Sequence, residues 1–117
     1  MVKTVKKTKE LKPTIQRQLI QRIGEVGYTA GQIHNMLNHL DHSLGEMYGE
    51  DKIRKYARKN NLAVDIDELG FQRRHKSAEG SKYYIPKSKL VQIIDGLDIC
   101  VTVDDLEKAA ARLGYQG

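Results

Sequence analysis

The chain has 117 residues and carries twenty lysines and arginines against fifteen aspartates and glutamates, which is a net charge of +5. This length leaves no room for two independent hydrophobic cores, and the charge favours a polyanionic partner without determining the fold. No run of about eighteen apolar residues occurs, and the N-terminus lacks the apolar segment of a signal peptide, so we expect a cytoplasmic protein without membrane contact.

Basic residues concentrate in three segments. Residues 1–12 hold five lysines against one glutamate, residues 50–59 hold five basic residues, and residues 72–89 hold six against one glutamate. After residue 94 the sign reverses, with five acidic residues against Lys108 and Arg112. This division predicts a basic surface that meets phosphate and an acidic end that faces solvent or another subunit.

The first half of the chain predicts three helices. Residues 1–12 are too polar to order themselves and are expected to form a flexible basic arm. Pro13 fits the first turn of a helix whose apolar stripe reaches Val26, and Thr29 is a suitable N-cap for a second helix that ends near residue 41. Residues 42–49 are predicted to be a connection. Residues 50–60 are predicted to form a third helix.

The third helix is expected to bury Ile53, Tyr56 and Ala57 and to turn its basic residues to solvent. A hairpin is predicted next, because residues 71–76 alternate in character, residues 77–81 interrupt the pattern and residues 82–85 resume it. Gly80 suits a turn position of positive φ.

Two further helices are predicted after the hairpin. Leu90 begins one apolar stripe, and Thr102 followed by Asp105 predicts a capped helix that ends at Gly114. Cys100 stands in the apolar stretch 97–103 and is expected to be a small buried residue.

Together these elements predict a fold that is mainly α with a small β-hairpin, an α+β arrangement of the winged helix-turn-helix type. The predicted organisation is a flexible arm over 1–12, a winged helix-turn-helix domain over 13–97, and a C-terminal helical segment over 98–117 that packs on the domain or mediates dimerisation.

Three runs of the sequence resemble the winged-helix domains of the MerR and excisionase group. They are YTAGQI at 28–33, KIRKYARKNNL at 52–62 and GSKYYIPKSKL at 80–90. The last run is the most specific, because in that group a similar segment closes the wing and starts the next helix. The resemblance covers roughly residues 28–97. It departs from the group at 39–49, where a tight turn usually joins the two helices.

The resemblance implies that the partner is double-stranded DNA. It also implies that the DNA-binding residues are the basic ones of the third helix and the hairpin. Arg54 and Arg58 are preferred for base contacts, since arginine can bind guanine through two hydrogen bonds. The predicted DNA-binding residues are Lys52, Arg54, Lys55, Arg58, Lys59, Arg73, Arg74, His75, Lys76 and Lys82. Lys3, Lys6, Lys7 and Lys9 are predicted to contact phosphate or a minor groove from the N-terminal arm.

No catalytic motif or cofactor site is predicted. His34, His39 and His42 lie close in sequence but lack the cysteine and carboxylate partners of a zinc site. Asp65, Asp67 and Glu68 are interpreted as a solvated acidic turn instead of a site for a divalent cation. Two functions therefore remain. One is a sequence-selective DNA-binding protein, either a transcriptional regulator or a phage- or plasmid-type excisionase or architectural factor, that associates with the nucleoid and acts as a dimer. The other is a protein-binding adaptor or inhibitor on the same scaffold, without DNA binding.

Overall fold

The computed structural model describes residues 14–71 and 82–115. They form a mainly helical structure with a three-stranded antiparallel sheet, so the predicted α+β class is confirmed. The predicted arm 1–12, Pro13 and the hairpin residues 72–81 lie outside the described residues. Within the described ranges, no helix is long and apolar enough to cross a membrane.

The first helix, α1, spans Ile15–Ile23 and is shorter than predicted. Thr14 is its N-cap, and its side chain accepts a hydrogen bond from the backbone N–H of Arg17. Gly24 adopts φ +83° and ends the helix by donating its N–H to the carbonyl of Ile20. The predicted end near residue 26 is wrong because the left-handed glycine terminates the helix before the apolar stripe is finished.

Strand β1 is Gly27–Tyr28, and helix α2 follows at Ala30–Leu40. Thr29 and Gln32 form a reciprocal capping box, so the predicted N-cap is confirmed. Gln16 holds β1 against α1, because its amide accepts from the Gly27 N–H at 3.0 Å and donates to the Gly27 carbonyl at 2.6 Å.

The predicted connection at 42–49 is wrong, because helix α3 occupies His42–Met47. Asp41 starts it by accepting hydrogen bonds from the backbone N–H and the hydroxyl of Ser43. Gly45 lies so close to α2 that a Cβ there would be 2.3 Å from Asn38 Oδ1. The glycine that suggests a loop in the sequence is therefore a point of close helix packing.

Helix α4 spans Glu50–Lys59, as predicted, and is followed by strands β2 at Val64–Asp65 and β3 at Tyr83–Pro86. The sheet order is β1-β3-β2. Gly27 pairs with Pro86 and Val64 pairs with Tyr84, both antiparallel.

The strand predicted at 82–85 is confirmed as β3, but its partners among the described residues are β1 and β2. Phe71, at the start of the predicted partner strand, belongs to no strand. Its N–H instead donates to the carbonyl of Ile66 at 3.0 Å, which closes a turn after β2. Two-residue strands are too short to show a period in the sequence, so only the tertiary contacts reveal these partners.

The C-terminal part contains a short 3₁₀ turn at Lys87–Lys89, helix α5 at Leu90–Leu97 and helix α6 at Val103–Arg112. Thr102 and Asp105 form the predicted capping box. Cys100 is exposed, which contradicts its predicted burial. In the segment before α6 Ile99 is buried and Val101 is half-buried, so Cys100 between them faces solvent.

Two apolar clusters hold these elements together. The main core joins β1, α2, α4, β3, α5 and α6 through residues such as Ile33, Ile53 and Leu106. The side cluster consists of Leu19, Ile66 and Phe71 with their half-buried neighbours, and it joins α1 to β2, to the turn after β2 and to β3.

Candidate nucleic-acid interface

Helix α4 is held in the main core by one face and carries its basic residues on the other. Ile53 and Ala57 are buried, and Tyr56 lies against α5 so closely that a Cβ at Gly96 would be 1.8 Å from its hydroxyl oxygen. The exposed residues of the helix include Lys52, Lys55, Arg58 and Lys59. The orientation of this basic face is therefore set by the packing of the opposite face.

Arg54 differs from the other basic residues of α4 because carboxylates of the same helix neutralise it. Its Nη1 lies 3.0 Å from Glu50 Oε2, and its Nη2 contacts Asp51 Oδ1. The side chain is 36% exposed. A partner that approaches Arg54 must compete with two acidic groups, so the predicted preference for Arg54 as a base-reading residue is not favoured by its surroundings.

The lysines of α4 are more open. Lys52 Nζ lies 3.5 Å from the Met47 carbonyl oxygen and 5.0 Å from the centroid of the Tyr48 ring. Lys55 and Lys59 are one turn apart and have no ion pair with any residue in the described ranges. These two ammonium groups are therefore available to an anionic partner.

Arg58 and Lys82 bring the helix and the start of β3 together. Arg58 Cζ lies 4.4 Å from the centroid of the Tyr83 ring, and Lys82 Nζ lies 5.4 Å from the same centroid. A cation near an aromatic ring is attracted by the ring quadrupole. One tyrosine thus joins two of the predicted site residues that lie far apart in sequence.

Lys82 also forms an ion pair with Asp65 on the neighbouring strand, with 3.4 Å between Nζ and Oδ2. This contact raises the pKa of Lys82, first through the hydrogen bond and then through the charge of Asp65. Burial acts to raise the pKa of Asp65, but hydrogen bonds from the Asp67 backbone and from Lys82 outweigh it, and the pKa is lowered. Both groups therefore stay charged over the neutral range.

A shallow cleft lies beside the contact of Arg58 with Tyr83, between α2, α4 and β3. It is lined by Ala30, Arg54, Ala57, Arg58, Ala63, Tyr83 and Ile85. Ala30, Ala57 and Ile85 are buried, whereas Arg58 is exposed. We call this feature the alanine cleft. Its inner part is apolar, and a guanidinium group stands at its solvent side.

The remaining predicted site residues are not brought into this surface by any described contact. Arg73, Arg74, His75 and Lys76 lie outside the described residues, as do Lys3, Lys6, Lys7 and Lys9. Among the residues that the structure describes, no cluster of three or more histidine, cysteine or acidic side chains could hold a metal ion. His34 Nδ1 lies 3.0 Å from the Tyr48 carbonyl oxygen, and His42 lies 3.3 Å from Glu46.

Sequence reasoning missed three participants in this surface. The Glu50–Arg54 pair carries a readable signal, because opposite charges four residues apart on a helix face each other. Asp65 carries no such signal, since its pairing with Lys82 depends on the register of β2 and β3. The alternation of Tyr83 and Tyr84 predicts opposite faces, but it does not reveal that Arg58 reaches Tyr83.

Comparisons with protein-family models, with curated proteins and with solved structures find no match for this chain. The resemblance to the MerR and excisionase group therefore stays a prediction based on the three sequence runs. Any function must be argued from the surface itself.

Proposed function

We propose that this chain is a non-catalytic protein that binds double-stranded DNA through α4 and the segment between β2 and β3, in the manner of a winged helix. The order of elements supports this proposal. One helix, a strand, three helices, a strand, a basic stretch of sequence and a strand follow one another, and β3 lies between β1 and β2. In such an arrangement the later helix can enter a major groove while the segment between the last two strands reaches the adjacent backbone.

The observation that carries the proposal is the shared contact of Arg58 and Lys82 with Tyr83. It means that the basic face of α4 and the basic start of β3 form one continuous surface. Basic elements that lie side by side can contact the same stretch of a duplex without any bending of the DNA.

The charge of the surface supports the same partner. Lys55 and Lys59 are exposed on α4, and the sequence between β2 and β3 adds Arg73, Arg74 and Lys76. Lysine and arginine that neutralise phosphates release counterions, which is the main source of affinity in sequence-independent DNA binding. One helix of ten residues reads few base pairs, so the proposal includes action as a dimer that associates with the nucleoid and regulates or reshapes its site.

The test is fluorescence anisotropy of labelled random-sequence duplexes, measured with purified protein over a series of salt concentrations. We expect wild-type affinity to fall steeply with salt. The double variant K55A/K59A should bind at least about tenfold more weakly, and the slope of log affinity against log salt should fall by about one for each phosphate contact removed.

The matched control is K108A/R112A. It removes the same charge from two exposed positions one turn apart on α6. If both double variants weaken binding equally, net charge alone explains the result and α4 is not the interface. If the wild-type protein binds no duplex at low salt, the proposal fails, and the alternative of a protein-binding adaptor is then tested by partner capture.

A further inference from the structure

We propose that Glu50 and Asp51 determine the selectivity of the proposed DNA interface, because they withhold Arg54 from the phosphates that every duplex presents. This inference rests on the proposed function and refines it, since it divides α4 into two parts. The first turn of the helix repels phosphate. The cations that contact phosphate are the exposed lysines Lys55 and Lys59.

The first turn of a helix normally attracts phosphate. Its backbone N–H groups have no partner within the helix, and the helix dipole is positive at this end. In α4 the N-cap is Gly49, which provides no side-chain hydrogen bond, and the next two residues are Glu50 and Asp51. Two negative charges therefore stand at the end of α4 that would otherwise favour a DNA phosphate.

The same two carboxylates hold Arg54. Its Nη1 lies 3.0 Å from Glu50 Oε2 and its Nη2 contacts Asp51 Oδ1, so both terminal nitrogens of the guanidinium have an acidic partner. Glu50 also lies against α2, because a Cβ at Gly31 would be 3.4 Å from Glu50 Cδ. Gly31 is in the first turn of α2, where the dipole of that helix also favours a carboxylate. Arg54 must leave these partners before it can bind a phosphate.

Arg58 shows that this arrangement is particular to Arg54. Both arginines line the alanine cleft, and they lie one turn apart on α4. Arg58 has no ion pair with a carboxylate of the described residues. Residues 50–54 contain two acidic and two basic residues, whereas residues 55–59 contain three basic residues and no acidic one. The charge of α4 is therefore balanced in its first half and positive in its second half.

The withheld cation affects selectivity because phosphate contacts carry no sequence information. A cation that does not contact phosphate leaves a larger share of the affinity to contacts that depend on sequence. The carboxylate side chains are 52% exposed at Glu50 and 76% exposed at Asp51. Exposed ion pairs are weak, so we expect each carboxylate to change the affinity by a factor of a few.

The experiment measures anisotropy on several duplexes of unrelated sequence over a salt series. We expect E50Q/D51N to bind every duplex about fivefold more tightly than wild type, with a salt slope steeper by about one, because Arg54 becomes free to contact phosphate. R54Q should weaken binding less than about twofold, whereas K55Q should weaken it about threefold. Adding E50Q/D51N to R54Q should raise affinity less than about twofold.

The matched control is E46Q/D104N. It removes two exposed carboxylates that pair with residues one turn away, Glu46 with His42 on α3 and Asp104 with Lys108 on α6. The net charge rises by the same amount as in E50Q/D51N, and we expect affinity to change less than about twofold. Equal gains for the two double variants would overturn the inference, because net charge would then explain both.

Thermal unfolding followed by circular dichroism shows whether each variant is folded, since Glu50 and Asp51 also suit the dipole of α4. If E50Q/D51N unfolds, E50Q and D51N are measured separately, and each should gain about twofold. A folded E50Q/D51N that binds no more tightly than wild type would overturn the inference, as would an equal gain with and without R54Q. Failure of the wild-type protein to bind any duplex at low salt would instead defeat the proposed function itself.

Discussion

The main core and the side cluster differ in the elements they join. The main core brings together six elements from Tyr28 to Ala110, so removing any one of them exposes apolar surface on several others. The side cluster has three buried residues and joins α1 to β2, to the turn after β2 and to β3. Arg22 strengthens this junction, since its guanidinium donates to the Leu69 carbonyl and lies 6.0 Å from the centroid of the Phe71 ring.

This difference teaches that α4 and the turn after β2 are supported unequally. Helix α4 is anchored in the main core through Ile53 and Ala57. The turn after β2 is anchored instead in the side cluster, through Ile66 and Phe71. We infer that α4 and the turn that ends at Phe71 differ in local stability, as expected where few apolar contacts support an element.

The largest expected effect comes from shortening one leucine in each cluster. Leu106 and Leu19 are both fully buried. We expect L106A to lower the free energy of unfolding by about 4 kcal/mol and L19A by about 2 kcal/mol, because the side cluster has only three buried residues and can collapse around the lost atoms. Urea unfolding followed by circular dichroism gives both values.

Hydrogen exchange distinguishes a local from a global effect of these substitutions. L19A should speed amide exchange in α1 and leave α2 protected, whereas L106A should speed exchange in every helix. L113A is the control for a half-exposed leucine and should cost less than 1 kcal/mol, roughly the effect of a surface change. Equal acceleration across the chain by L19A would show that the two clusters unfold as one unit.

A smaller effect is expected from the N-caps of α2, which packs in the main core, and of α1, which packs in the side cluster. Thr29 caps α2 through a reciprocal box with Gln32, whereas Thr14 caps α1 through one hydrogen bond to the Arg17 N–H at 3.1 Å. We expect T29A to cost about 1 kcal/mol of stability and T14A about half as much, since α1 can fray without opening the main core. The shift of the thermal unfolding midpoint measures the effect of each alanine variant. T29S and T14S keep a hydroxyl acceptor at the N-cap and should retain the wild-type midpoints.

The smallest effect concerns pH and the Asp65–Lys82 ion pair beside the side cluster. The lowered pKa of Asp65 gives a stability contribution that is present above its ordinary pKa of 3.8 and is lost as pH falls through the folded value. The raised pKa of Lys82 gives a second stability contribution, which is present below the ordinary lysine pKa of 10.5 and is lost as pH rises through the pKa of the folded state.

Both contributions require Asp65, so D65N should lower the unfolding midpoint by a constant amount between about pH 5 and pH 9. The difference from wild type should shrink below and above that window. A D104N control removes an exposed carboxylate that pairs with Lys108 on α6. A wild-type to D65N difference that grows as the solution is acidified would contradict the assigned ion pair.

The sequence predicted features that depend on neighbours within a few residues. Local sequence predicted the N-caps at Thr29 and Thr102 and the range of α4. Helix start signals and apolar spacing act within one or two turns, so they can be recognised without the tertiary structure. The basic character of α4 could be predicted for the same reason. The predicted functional residues of that helix therefore lie on one exposed face, with Arg54 as the exception.

The tertiary structure alone decided which segments meet. The sequence suggests that Gly45 is a loop residue, but the structure packs it closely against Asn38. The sequence also suggests that Cys100 is buried, but Ile99 and Val101 on either side of it face inward and Cys100 faces solvent. The pairing of β3 with β1 and β2, the Asp65–Lys82 ion pair and the stacking of Arg58 on Tyr83 join residues distant in sequence. Local spacing determines which residues share a helix face, whereas contacts between distant segments depend on how the whole chain buries its apolar surface.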